Sequence, residues 1–143
     1  MIAIDTNLLV YAHRAGSPEH GPSRRAIERA SRDARGFGVA LPSVVEFWSI
    51  VTHPASQGGP STASQAAGFL RALVDDASCR LWQPREGFAD RLLRAARELK
   101  VFGPRIFDLQ IALAAIENGA REIWTHDQSF LSVPGLRVHD PLR

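Results

Sequence analysis

The chain has one cysteine, Cys79, and one lysine, Lys100, among its 143 residues. A lone cysteine excludes an internal disulfide and fits a reducing compartment. His13, His20, His53, His126 and His139 are scattered and none stands at zinc-ligand spacing from Cys79, so no zinc centre is expected. No apolar run approaches the ~20 residues needed to cross a bilayer. No basic segment leads into an apolar stretch and a cleavage site, so export is not expected. These absences predict a cytoplasmic protein with no membrane partner. Repeats and long low-complexity tracts are missing too. The nearest to a flexible segment is Ser56-Gln57-Gly58-Gly59-Pro60-Ser61, which reads as a loop.

What is present is ordinary in bulk. With 45% hydrophobic and 22% charged residues, the chain reads as one globular domain over residues 1–143, long enough to bury a core without staples. The net charge of +2 is no nucleic-acid signature by itself. Of the seventeen basic residues, all but Lys100 are arginine. Arginine's planar fork suits phosphate, although the compositional drift of a GC-rich genome also raises arginine.

Periodicity divides the chain into alternating strands and helices. Strands are expected at Ile2–Ile4, Gly38–Leu41, Arg80–Trp82, Glu122–Thr125 and Leu136–His139. Helices are expected at Leu8–His13, Ser23–Arg35 (apolar on Ala26, Ile27, Ala30 and Ala34), Val44–Thr52 with Ser43 as N-cap, from Ser61-Thr62 to about Asp76, Glu86–Lys100, and Phe107–Asn118. This alternation implies an α/β fold, a three-layer α/β/α sandwich around a central parallel sheet.

In such sheets ligands bind outside the carboxyl ends of the strands, and four carboxylates point to that edge. Asp5 ends the first strand in Met1-Ile2-Ala3-Ile4-Asp5-Thr6-Asn7. Asp127 follows the fourth. Glu46 lies in a helix apolar almost all round, which predicts a largely buried glutamate in need of a partner. Asp108 lies in the first turn of its helix, with the small Ala112 and Ala115 on the same face leaving room for something to approach. Each has a plain structural role available as well. Asp5 and Asp127 can cap, Asp108 can complement a helix dipole, and Glu46 can pair with an arginine. Gathered together, however, they repel and raise one another's pKa. An all-oxygen cluster of this kind suits Mg²⁺ or Mn²⁺.

Ile4-Asp5-Thr6-Asn7, Val45-Glu46, Phe107-Asp108-Leu109-Gln110-Ile111-Ala112 and Trp124-Thr125-His126-Asp127-Gln128-Ser129-Phe130 resemble, in order, the four motif blocks of PIN-domain nucleases. The length and compact form are similar to VapC toxins of type II toxin–antitoxin systems. The resemblance implies a PIN-like fold and an endoribonuclease in which Asp5, Glu46, Asp108 and Asp127 bind one or two Mg²⁺ or Mn²⁺ ions. It also implies an RNA substrate, a cognate antitoxin and a homodimer. Asp5 and Asp108 are the expected direct ligands. Glu46 and Asp127 act directly, through water or on the nucleophile. Thr6, Asn7 and Thr125 are candidates to orient the carboxylates, Asn7 having a helix cap as its alternative. Two positions depart from the family pattern. Ser129 stands where a further acid is frequent, and Leu109 where alanine is frequent.

Arg25, Arg29 and Arg32 form a stripe on the second helix, which is either an RNA-backbone contact or a solvated face. Arg105, three residues before Asp108, is placed to meet a phosphate or a site carboxylate. His126 abuts Asp127, where contact with substrate is one role open to it, and is expected as a surface histidine. Trp48, Trp82 and Trp124 are expected in the core. A housekeeping RNA-processing nuclease is the alternative with the same chemistry. A receiver-type signalling domain also puts acids at strand ends, but it wants an aspartate after strand three, where Gln83-Pro84 stands, and a lysine after strand five. A non-catalytic RNA-binding module would gain nothing from clustered negative charge.

Overall fold

Side chains alternate across the strands and build two cores. The computed structural model describes residues 1–143. Strands Ile2–Ile4 (β1), Phe37–Ala40 (β2), Arg80–Trp82 (β3), Glu122–Trp124 (β4) and Arg137–His139 (β5) form one sheet in the order β3-β2-β1-β4-β5. Every pairing is parallel. Ile2, Ile4, Phe37, Val39 and Trp124 face one side, where they pack with Leu8, Leu9, Ile27, Phe47 and Leu70. Ala3, Ala40, Trp82 and Ile123 face the other, with Phe88, Leu109, Ile111 and Ala115. The first layer comprises helices Thr6–His13 (α1), His20–Ser31 (α2) and Ala63–Asp75 (α4), with the inner side of Leu41–Thr52 (α3). The second comprises Phe88–Glu98 (α5) and Arg105–Glu117 (α6). This is the expected three-layer α/β/α sandwich. Because β2 lies on one side of β1 and β4 on the other, chain order reverses at β1. The crevice outside the carboxyl ends of β1 and β4 is therefore the topological switch point, where such sheets bind ligands.

Helix ends differ from the sequence expectation where side chains compete with the helix. α2 stops at Ser31, four residues before the expected end, and Ala34 is exposed. Asp33 Oδ1 accepts the Arg35 N–H at 2.9 Å, an alternative to helical bonding that short polar side chains offer. Gly36, at φ +85°, completes the reversal. At the other end α2 begins at His20, because Pro22 in the first turn lacks only an N–H that would go unpaired there.

The largest correction concerns α3. It starts at Leu41, directly from β2, and Ser43 lies buried inside its first turn instead of capping it. Only Ser43, Phe47 and Val51 are buried. Glu46, Val45, Trp48 and Ile50 are exposed, so this helix is apolar without being enclosed, and Trp48 is not a core residue. Ala112 and Ala115 are likewise not open room beside Asp108. Both are fully buried in the second core, where their small size lets α6 lie close to the sheet.

Candidate active site

Asp5 is built into a helix cap. It leaves β1 with extended backbone, and its Oδ1 accepts the Thr6 N–H at 2.8 Å as the N-cap of α1. Its other oxygen, Oδ2, accepts the Asn7 amide at 3.0 Å and the Thr125 hydroxyl at 2.8 Å. Asp5 is thus 6% exposed and surrounded by neutral donors only. Burial pushes its pKa up to about 6 against the opposing effect of the Thr125 and Thr6 bonds, and the charges of Glu46 and Asp108 add to the rise. Desolvation, more than carboxylate repulsion, is the dominant cause.

Asn7 does not cap a helix. Its amide also donates to Thr125 Oγ1 at 2.8 Å, and its Oδ1 accepts the His126 N–H at 3.1 Å. It therefore ties α1 to the segment after β4. Thr125 sits in the same knot, with its Oγ1 accepting the Asp127 N–H at 3.0 Å. Thr6 is different. Only its backbone reaches Asp5, and its hydroxyl is buried without a partner.

The remaining acids surround Asp5 from other elements. Asp108, half-buried in the first turn of α6, accepts the Leu131 N–H at 3.1 Å through Oδ2. Burial raises its pKa and Asp127 adds to this, while the Leu131 bond and the Arg105 charge oppose it. Glu46 is exposed, yet partial burial and then the charge of Asp108 raise its pKa. Asp127 is exposed, and its Oδ1 accepts the Ser129 N–H at 2.9 Å and hydroxyl at 2.7 Å. Glu46 and Asp108 thus act electrostatically on Asp5, Asp108 on Glu46, and Asp127 on Asp108. No three His, Cys, Asp or Glu side chains close on a common point.

The donor set fits a hard divalent cation. Asp5 is a buried carboxylate with no basic partner, and Glu46 and Asp108 add negative charge beside it. Buried charge left uncompensated is costly, and oxygen ligands are what Mg²⁺ or Mn²⁺ takes. Two of the three unpartnered buried hydroxyls, Thr6 and Ser43, also lie in the first turns of the helices that follow β1 and β2.

The arginines divide. Arg105 stands at the start of α6, donates to the Ser129 carbonyl at 3.3 Å, and shares a cavity of about 310 Å³ with Pro104, Asp108 and Ser129. Arg29 lies over the Trp124 ring, 5.6 Å from its centroid, and donates to the Pro141 carbonyl at 3.1 Å. Arg32 pairs with Glu28 on its own helix. Arg25 is exposed on the same helix. Among these four arginines, only Arg105 acts on the pKa of a site carboxylate.

The PIN domain family profile matches residues 2–136. The chain belongs to the PIN domain family. Among curated relatives it is 26% identical to Ribonuclease VapC48 of Mycobacterium tuberculosis over 137 residues, 96% of this chain and 94% of that one. It is 29% identical to Ribonuclease VapC43 of the same species over 142 residues, 99% and 96% of the two chains. Its fold is similar to that of Mycobacterium tuberculosis VapC20, a Sarcin-Ricin loop cleaving toxin, with a TM-score of 0.67 at 12% identity over 91% of this chain and 92% of that one. VapBC2 from Rickettsia felis, bound to a DNA fragment from its promoter, gives a TM-score of 0.68 at 18% identity over 97% and 98%.

Of two neighbours of this edge, the sequence reading misplaced one, His126, and missed the other, Tyr11. His126 is half-buried, not a free surface histidine, and its Nδ1 lies 2.9 and 3.1 Å from the Asp140 carboxylate oxygens. Tyr11, one turn beyond Asn7 on α1, meets the His126 ring edge-on at 6.2 Å. Neither pair has a motif. Asp140 lies 14 residues beyond its partner, and Tyr11 reads as one more residue of a short helix.

Proposed function

We propose that this protein is a metal-dependent endoribonuclease and the toxin of a type II toxin–antitoxin pair, acting as one nuclease domain over residues 1–143. The observation that carries the reading is Asp5. It is a buried carboxylate at the switch point, supported only by neutral donors, with Glu46 and Asp108 adding to its negative field. The PIN family match and the ribonuclease names of the relatives support hydrolysis of RNA. Asp5 and Asp108 are assigned as direct ligands of Mg²⁺ or Mn²⁺, with Glu46 and Asp127 completing the set directly or through water. A cation held there would supply the means to activate water for attack on the phosphodiester and to stabilise the leaving oxygen. Thr125 and Asn7 fix the Asp5 carboxylate, and the Thr6 N–H holds its other oxygen. Arg105, beside Asp108, takes the reacting phosphate.

Partners follow from the same reading. The VapBC2 neighbour supports a cognate antitoxin. A homodimer is supported by α3, where Leu41, Val45 and Trp48 recur at helical spacing on an exposed apolar ridge, with exposed Phe107 on the neighbouring α6. No helix is long and apolar enough to cross a membrane, and action on cellular RNA assigns the protein to the cytoplasm.

The test expresses the unsubstituted chain and Asp5→Asn in parallel, recording growth and mapping RNA ends. Growth arrest with new RNA ends from the first alone is the expected result. Equal RNA cleavage by both purified proteins would overturn the assignment.

A further inference from the structure

A cleft of about 1360 Å³ runs from Tyr11 and Glu19 to Ile50 and the loop around Gly58. Its Tyr11 end adjoins the acidic edge, because the Tyr11 ring meets that of His126, the residue before Asp127, at 6.2 Å, and the His126 backbone bonds Asn7, which bonds Asp5. Its chemistry limits what it can hold. Five of its twenty lining residues are hydrophobic, so a peptide would find few apolar pockets for anchors. Nor does it suit a phosphate backbone. Its one guanidinium, Arg14, is spent on three backbone carbonyls, those of Val51 at 3.0 Å, Gln57 at 3.0 Å and Gly59 at 2.7 Å. Glu19, on the other wall, repels phosphate.

What remains is an aromatic face set beside the acids and braced from behind. Tyr11 lines the cleft and is half-buried. Its ring meets His126 at an interplanar angle of 74°. The His126 ring is fixed by Asp140 and its backbone by Asn7. Asn7 also bonds Asp5, so the Tyr11 face and the acidic centre share one rigid support. The Tyr11 hydroxyl, a phenol, is neutral at pH 7 and can donate; burial, Glu19 and Asp127 raise its pKa further. A neutral aromatic with a donor tip, in a polar cleft without free cations, has the chemistry that recognises a nucleobase.

We infer that Tyr11, braced by His126, is a nucleobase-binding subsite, taking one unpaired base of the RNA next to the phosphate at the carboxylates. This rests on the nuclease reading above and adds to it a division of labour. The backbone is held on the Arg105 side, and the base is read on the Tyr11 side.

The test uses the full chain carrying Asp5→Asn, which keeps RNA intact, and a set of single-stranded RNA hexamers, each with one abasic position. In this background one abasic position is expected to weaken binding roughly 5- to 140-fold, the range of one lost base–aromatic stack. Tyr11→Leu should abolish the difference between intact and abasic hexamers, and Tyr11→Phe should retain it. The salt dependence of binding should be the same in all three proteins, because a base contact releases no counterions. Equal affinities for every abasic hexamer would overturn the subsite. So would a Tyr11→Leu variant that keeps the discrimination, or one that binds RNA unchanged while losing its antitoxin. A chain with native Asp5 that cleaves RNA alongside such results leaves the nuclease reading standing. A chain that neither cleaves nor binds RNA overturns both.

Discussion

The Thr125 hydroxyl donates to Asp5 Oδ2 at 2.8 Å across a separation of 120 residues. Its oxygen also accepts the Asn7 amide and the Asp127 N–H. One small side chain thus uses its single donor and both lone pairs, and it joins the first of the four site acids to the last. β1 and β4 make this contact possible by pairing in register, Ile4 opposite Trp124, so that both strands end side by side.

Thr125→Val keeps the shape and removes the hydroxyl. Asp5 then loses a donor and the Asp127 N–H loses its acceptor. At about 1–3 kcal/mol for the Asp127 N–H left unpaired and about 1 kcal/mol for the hydrogen bond Asp5 loses, we expect a loss of roughly 2–4 kcal/mol in denaturant unfolding at pH 7. Thr125→Ser, which keeps the hydroxyl, should cost about 1 kcal/mol. Similar stabilities for the two variants would show that the hydroxyl is not what holds the carboxylate.

Asp5 should give a pH dependence opposite to that of an ordinary ion-paired acid. Its folded pKa of about 6 lies above the unfolded value of 3.8, so between them the folded state binds the proton more tightly. Its contribution is greatest below the unfolded value and is lost as pH rises through about 6, roughly 3 kcal/mol in all. In chelator, Asp5→Asn should therefore melt higher than the parent at pH 7, with the gap narrowing toward pH 4. A gap independent of pH would remove desolvated Asp5 as its cause.

Mg²⁺ or Mn²⁺ should raise the melting temperature of the parent, because the ion binds the folded carboxylates and not the unfolded chain. At a hundredfold excess over Kd this amounts to about 2.7 kcal/mol. Asp5→Asn and Asp108→Asn should each lose most of the shift. Chelation should abolish RNA cleavage, and cleavage that survives exhaustive chelation would rule out a metal-dependent mechanism.

Gly38→Ala tests the packing behind the site. A Cβ at Gly38 would lie 2.4 Å from the Trp82 ring and 2.8 Å from the Arg80 carbonyl. The tryptophan is buried and the carbonyl belongs to the paired strand, so neither can yield cheaply. Overpacking of this kind costs about 1–3 kcal/mol, to be read from chemical denaturation. A neutral substitution would mean that β2 and β3 separate easily.

The arginines should separate by assay. Arg29→Ala should cost about 1 kcal/mol of stability through the lost Trp124 contact. Arg105→Ala should lower kcat more than it raises KM, because a cation beside Asp108 acts on the reacting phosphate. If the exposed stripe holds RNA, replacing Arg25, Arg29 and Arg32 together should flatten the salt dependence by about 0.7 per lost contact on single strands. An unchanged slope assigns the stripe to solvation and to packing on Trp124.

Alternation of short apolar runs with amphipathic helices was enough to read the parallel sheet and its two covering layers, because period and chain order constrain a sheet of this kind so tightly. The positions of Asp5 and Asp127 just past strand ends were legible for the same reason. Burial was not. α3 is apolar almost all round, yet only the Ser43, Phe47 and Val51 side finds neighbours, and local composition cannot say which faces of a helix another element will cover. Nor does local sequence reveal partners that meet through the sheet. Thr125 on Asp5, Asp140 on His126 and Arg29 on Trp124 are contacts made only after β1, β4 and β5 align. The chain's own pattern determined where the acids stand. The tertiary structure decided which of them is buried, what supports it, and therefore how strongly it calls for a cation.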